Sequence, residues 1–275
     1  MRVGEKLAEL ASSKTGKRKQ KRSSSSEPPM PCRVVQRLFD TCMEVFADCG
    51  PGVVPSPENI HRLRSVLDNM KPADVGLSPR QPYFKTVESR GAPPTITYLH
   101  LYECPKFSIG IFCLPKSAVI PLHNHPGMTV FSKLLFGSMH IKSYDWIDST
   151  ESTDEMIKPS HLEGRNLKLA KLKADTVFTA PCETSILYPA AGGNMHCFTA
   201  VTACAVLDVL GPPYNDSEKR HCTYYNDFPC TTVLGDSASV PDEGEKYAWL
   251  EEREKKPNNF SVVGAKYKGP RIVER

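Results

Sequence analysis

The sequence contains no run of about 18 consecutive apolar residues, so nothing in it reads as a membrane-spanning helix. Its N-terminus has no continuous apolar stretch, and a secretory signal is not expected. The 10 cysteines are scattered with no C-x-x-C pair, which excludes the usual zinc and redox spacings. With no secretory route, they are read as reduced intracellular thiols. The net charge is only +4, too weak for the whole molecule to be a nucleic-acid binder. No internal repeat is visible. Neither a membrane nor a nucleic acid is expected as a direct partner, and nothing in the chain requires more than a monomer. What is present is ordinary globular composition. Of 275 residues, 40% are hydrophobic and 24% charged, enough to bury one large core or two small ones.

Residues 1–30 are polar, Ser-rich and basic. Six of the nine residues from Lys14 to Arg22 are Lys or Arg. Such a block buries too little apolar area to offset chain entropy and reads as a disordered tail. It also matches a nuclear localisation signal, and placement in nucleus and cytoplasm is the expectation. Residues 31–275 read as one domain. Val35, Leu38, Phe39, Cys42, Val45 and Phe46 recur at helical spacing between Cys32 and Cys49, ahead of Gly50 and Pro51. A second helix is expected after Ser56 as cap and Pro57 as first helical residue, with Ile60, Leu63, Val66, Leu67 and Met70 on one face.

After Pro94 the texture changes. Short β-branched and aromatic segments such as "TITYLHLYE", "FSIGIFCL", "MTVFSKLLFG", "SMHIKSYDW" and "CAVLDVL" alternate with Gly, Pro, Asn and Asp. That pattern predicts an all-β sandwich or barrel over about 94–235, with the helices of about 32–70 packed outside. Residues 148–166 read as an excursion loop. The segment after Asp236 reads as a charged C-terminal extension, with Tyr247 and Trp249 packed on the barrel and 251–256 solvated.

His123 and His125 stand in "PLHNHPGMTV". On a strand, alternate side chains share a face, so both imidazoles point the same way if this stretch is extended. Neutral imidazoles suit Zn, Cu, Fe and Ni. The pair alone is weak evidence, because random placement of eight His yields roughly 0.23 such pairs. A second segment, "YPAAGGNMHCF", adds a Gly-Gly turn that leads into His196 and a further β-rich run.

This two-part arrangement resembles the cupin superfamily, whose His-x-His and later Pro-Gly-His motifs converge inside a small jelly-roll barrel, the double-stranded β-helix. The resemblance implies a metal held by His123, His125 and His196. Many cupins carry a Glu four residues after the second His; here that position is Thr129. The common iron oxygenase site has two His and one carboxylate. Three neutral His leave Fe(II) with less negative charge and open to an anionic thiolate. That set resembles thiol dioxygenases. "PLHNHPGMTVFSKLLFGSMHIKSYDW" and "AVLDVLGPPY" resemble the plant cysteine oxidases, relatives of cysteamine dioxygenase. The resemblance covers roughly residues 32–275. It implies Fe(II)- and O2-dependent conversion of an N-terminal Cys to the sulfinic acid, with the α-amine and thiolate both near iron. The implied targets are group VII ethylene response factors, whose oxidised N-termini feed the Arg/N-degron pathway in oxygen sensing.

Other residues carry expectations of their own. Asp208 lies among Val and Leu, where an acid needs a partner. It is read as orienting substrate or a ligand histidine, against a turn cap at "GPPY". Tyr214 is read as placing a hydroxyl at the pocket mouth, against ordinary packing. Cys222 and Tyr224 stand two apart, and a thioether crosslink like that of some thiol dioxygenases is an open expectation. His140, three residues past Gly137, is the closest competitor for a ligand role and is read as a surface or hydrogen-bonded strand histidine; His61, His100, His161 and His221 are read as non-ligands.

Three alternatives follow. A small-thiol dioxygenase acting on free cysteine calls for an Arg near the metal, and no Arg stands in the expected barrel strands. A non-catalytic cupin would bind a sugar or other ligand. A metal-dependent isomerase would retain the carboxylate that Thr129 replaces.

Overall fold

The computed structural model describes residues 30–85, 93–147, 164–230 and 246–274. The basic tail and nearly all of the excursion loop lie outside them. No helix among the described residues is long and apolar enough to cross a membrane.

Helix α1 spans Met30–Val45 and α2 spans Pro57–Asp68. The α1 residues Val35, Leu38, Phe39, Cys42 and Val45 are buried, as three-and-four spacing requires. Ser56 caps α2, its hydroxyl accepting from Asn59 N at 3.3 Å, and Pro57 opens the helix.

Twelve strands follow: β1 Ile96–Glu103, β2 Ser108–Leu114, β3 Val119–His123, β4 Thr129–Phe136, β5 Ser138–Trp146, β6 Leu167–Thr179, β7 Ser185–Leu187, β8 Met195–Ala200, β9 Cys204–Gly211, β10 Tyr225–Pro229, β11 Tyr247–Glu252 and β12 Val262–Ala265. They form two six-stranded sheets, ordered β12-β1-β2-β9-β4-β7 and β10-β11-β6-β5-β8-β3. Consecutive strands often fall in opposite sheets, the winding of a double-stranded β-helix. The expected all-β cupin barrel is present.

The first sheet has two apolar faces. Ile109, Ile111, Phe131, Leu135, Leu207 and Val209 join one core with α1 and α2. The alternate residues Leu134 and Val206 join Ile120, Ile141 and Phe198 of the second sheet in another. The period-two alternation thus faces the helices on one side and the barrel interior on the other. A polar tie adds direction: Lys133 on β4, 5% exposed, donates to Cys182 O at 2.6 Å and lies 3.6 Å from Asp68 of α2.

The C-terminal extension differs from the expectation. Tyr247–Glu252 is strand β11, paired with β6 and β10, and Val262–Ala265 pairs in parallel with β1. Charged Glu, Arg and Lys mask this strand in the sequence, because its face is defined by partners supplied by distant residues.

Phe46 is fully buried between the helices and the first sheet, with Phe107 at 5.9 Å and Phe131 at 6.4 Å between ring centroids. Phe46→Ala is expected to cost about 3–5 kcal/mol. Met43→Ala, at a side chain 47% exposed, is expected to cost little. Urea denaturation checks both, and equal costs would refute this account of the helix–barrel core.

Candidate metal centre

His123 closes β3 and His196 lies on β8, directly opposite in the antiparallel register. His125 lies just beyond β3, so strand alternation alone does not aim it. Asn124 does much of that work. Its N–H donates to Thr223 O at 3.1 Å and its Oδ1 accepts from Thr223 N at 2.9 Å. The chain then turns through Pro126 and Gly127 into β4.

Asn194 holds His125 from the other side. Its Oδ1 accepts from His125 N at 3.1 Å, and its Nδ2 donates to His125 O at 2.9 Å. Asp145 on β5 in turn accepts from Gly193 N and Asn194 N at 2.8 and 3.0 Å. Gly193 has φ +84°, and a Cβ there would lie 2.5 Å from Ser143 Oγ. Only glycine suits that position, and it sets the turn that delivers His196. Asn194 and Asp145 were not picked out from the sequence. Their only signal is a buried acid in "SYDW" and an amide beside the Gly-Gly turn.

The three imidazoles converge. Their ligand atoms all lie within 4.8 Å of one another, and each residue is at most 8% exposed. Burial pushes the His123 pKa down to about 4, partly offset by hydrogen bonds to Pro121 and His196. His125 and His196 fall well below the ordinary histidine value, first through burial and then through neighbouring imidazoles. All three are therefore neutral near pH 7.

Two tautomers are fixed by partners. His123 Nδ1 lies 2.8 Å from Pro121 O, which only accepts, so Nδ1 carries the proton. Tyr214 donates to Asn124 O at 2.7 Å and lies 2.9 Å from His125 Nδ1. Its single proton is thus engaged, and His125 Nδ1 is the donor to it. Both Nε2 lone pairs are left pointing inward. Tyr214 is half-buried and lines the cavity, with its hydroxyl against His125.

A metal ion fits this set. His125 Nε2 and His196 Nε2 stand 3.0 Å apart. Two metal–nitrogen bonds of about 2.1 Å at right angles place their nitrogens about 3.0 Å apart. Among the described residues no carboxylate or thiol joins the group. The donors are three imidazoles, suited to Fe, Zn, Cu or Ni.

The triad faces a cavity of about 630 Å³ between the sheets. Asp208 lines it from β9, 7% exposed, with Oδ1 lacking any hydrogen-bond partner. Burial raises its carboxyl to about 7, with the Ser132 hydroxyl pulling the other way. Its one hydrogen-bond partner among the described residues is Ser132. Cys222 and Tyr224 also line the cavity, and the thiol hydrogen-bonds to the hydroxyls of Tyr224 and Tyr214. His100 and His221 line the cavity without joining the triad. His140 pairs with Asp175 at 2.7 Å on the surface, and His161 lies outside the described residues. Glu252, Glu254, Lys255 and Lys256 are exposed, as expected, and with Arg253 they also line the cavity. This segment brings Arg253, the cation absent from the barrel strands, which hydrogen-bonds Asn226.

Comparison with known proteins adds the family context. The PCO_ADO family model matches residues 66–272. Plant cysteine oxidase 2 of Arabidopsis thaliana is 59% identical over 242 residues, 87% of this chain and 83% of that one. Plant cysteine oxidase 1 of the same organism is 56% identical over 261 residues, covering 92% and 85%. The 2-aminoethanethiol dioxygenase of Homo sapiens is 30% identical over 229 residues, covering 78% and 82%.

Asn194→Ala is expected to lower metal affinity about 10- to 100-fold while the fold persists. Metal content after dialysis, with circular dichroism, checks this; unchanged retention would refute the clasp. Asp208 makes a prediction of opposite sign. Its folded pKa, about 7, lies above the ordinary 3.8, so its ionisation opposes folding as pH rises through that window. Asp208→Asn should therefore raise stability at pH 8, by on the order of 4 kcal/mol, and change it little near pH 4. Thermal melts at both pH values read the difference.

Proposed function

The chain belongs to the PCO_ADO family, and from that premise we propose that it is a thiol dioxygenase that oxidises the N-terminal cysteine of proteins to the sulfinic acid. The observation that carries this reading is the neutral His123–His125–His196 triad with no carboxylate beside it. Iron is the proposed metal; as Fe(II), when bound, it supplies O2 activation and a place for the substrate thiolate.

The overall reaction balances without an outside reductant. R–SH plus O2 gives R–SO2H: both oxygen atoms end on sulfur, which loses the four electrons that O2 takes up. Sulfinate is hard to reverse, so the product commits its protein rather than toggling it.

The chain's own groups hold and orient. His123, His125 and His196 present lone pairs. Tyr214 and Pro121 O fix ring orientation. Phe112, Ile120, Phe198 and Phe260 make part of the cavity wall apolar and limit water. Asp208, with one oxygen unpaired, orients the substrate by accepting from it. The Cys222 thiol and Tyr224 hydroxyl are in contact, which supports a thioether crosslink at this pair. The substrates proposed are group VII ethylene response factors in the Arg/N-degron pathway, met in nucleus and cytoplasm. The basic run Lys14–Arg22 supports the nuclear half.

A second reading has one observation in its favour. Arg253 on the cavity wall is a cation of the kind that free cysteine's carboxylate would seek.

Mass spectrometry of a Cys-Gly-Gly peptide incubated aerobically with iron-loaded protein decides between them. The expected result is a gain of two oxygen atoms on Cys, lost without O2 and in His196→Ala. Turnover of free cysteine or cysteamine but not peptide would select the small-thiol reading. No oxidation of any thiol would leave a binding cupin. Intact mass of the same protein reads the crosslink as a loss of two hydrogens.

A further inference from the structure

The cavity wall opposite the histidines carries a second polar group beside Asp208. On β9, Asp208 stands between two cross-strand neighbours, Ser132 of β4 and Gly110 of β2. The Ser132 hydroxyl bonds the carboxylate. Gly110 offers no side chain, and the space it leaves is filled from β1. A Cβ on Gly110 would lie 2.4 Å from the Tyr98 hydroxyl oxygen and 2.5 Å from the ring. Residues directly opposite in a ladder project to the same face. The Tyr98 hydroxyl therefore ends where a Gly110 side chain would be, next to the Asp208 carboxylate.

Tyr98 is held there by its ring, 5.0 Å from that of Phe112 between centroids. Its hydroxyl has no hydrogen bond among the described residues. Both Tyr98 and Asp208 line the cavity that the triad faces. A carboxylate oxygen and a phenol oxygen, side by side and unpartnered, call for a ligand with at least two donors and positive charge. A primary ammonium has both; an acetylated amine has one N–H and no charge.

We propose that Tyr98 is a specificity-determining residue: with Asp208 it seats the free α-ammonium of the substrate's N-terminus on the wall facing the histidines, so that the thiolate alone, rather than thiolate and α-amine together, reaches the metal, and Gly110 is the residue that makes room for it. This rests on the thiol dioxygenase reading and adds to it how a free N-terminus is told from a blocked one. The ammonium donates one N–H to the Asp208 carboxylate and another to Tyr98 Oη. The sequence gives little sign of this, since Tyr98 reads as an ordinary strand aromatic.

The test compares native protein, Tyr98→Phe and Gly110→Ala, all iron-loaded. Binding of a Cys-Gly-Gly peptide and of its N-acetylated form is measured by calorimetry under argon. Steady-state oxidation of the free peptide is then measured in air. Tyr98→Phe is expected to weaken binding of the free-amine peptide about tenfold, leave the weaker acetylated peptide unchanged, and lower kcat/KM mainly through KM. Gly110→Ala displaces the phenol and should do the same. Iron content should match native protein in both variants. Free-amine affinity within twofold of native in Tyr98→Phe, or equal weakening for both peptides, would overturn the proposal. The binding arm reads the ammonium seat even if native protein oxidises no thiol, an outcome that would overturn the functional reading alone.

Discussion

Three neutral imidazoles held with their lone pairs converging, away from water, are the constraint on which the rest of the structure turns. The Nε2 atoms of His125 and His196 stand 3.0 Å apart, and with Nδ1 of His125 protonated its Nε2 offers a lone pair to whatever lies between the rings. The fold keeps them together with directional bonds. Pro121 O, Tyr214 and the Asp145–Asn194 clasp each fix one element of the geometry. Burial then keeps the rings unprotonated. A cation is what such a set is built to accept.

The two sheets divide the work. The second sheet supplies His123 and His196, facing each other across one ladder, and His125 follows just beyond β3. It is drawn toward closure by Tyr224, which bridges back to His123. The first sheet supplies the opposite wall, with Asp208 and Tyr98. Its outer face is packed under α1 and α2 through Phe107, Phe131, Leu207 and Val209. Helix packing far from the metal thereby sets where the substrate-facing acid stands. That acid is kept near neutrality and half-satisfied, a local cost to stability of the kind that binding sites retain.

Much of this was legible in the residues. The helices show because Val35, Leu38, Phe39 and Cys42 repeat at the helical period, and Ser56-Pro57 marks a start. Strands β1 to β9 show because short β-rich runs are punctuated by Gly and Pro. His123, His125 and His196 show because their two segments together resemble the cupin pattern, the His-x-His pair alone being weak evidence. Strand β11 did not show, because its pattern is masked by charge and its partners β6 and β10 are distant. Asn194 and Asp145 did not show, because an amide or acid beside a turn has many local uses. Tyr214 was noticed, but its bonds to Asn124 and His125 did not show, since only the loop from Asn124 to His125 reveals them.

By itself, then, the sequence determined the element types, the all-β class and the residue kinds at the metal centre. These depend on local periodicity and on side-chain chemistry, both of which are written in the order of residues. The tertiary structure alone decided the tautomers, the orphaned oxygen of Asp208, the phenol seated over Gly110 and the entry of Arg253 into the wall. Each of these is a relation between segments far apart in the chain. Such relations are set by register across a sheet and by closure of the barrel, which no local pattern encodes.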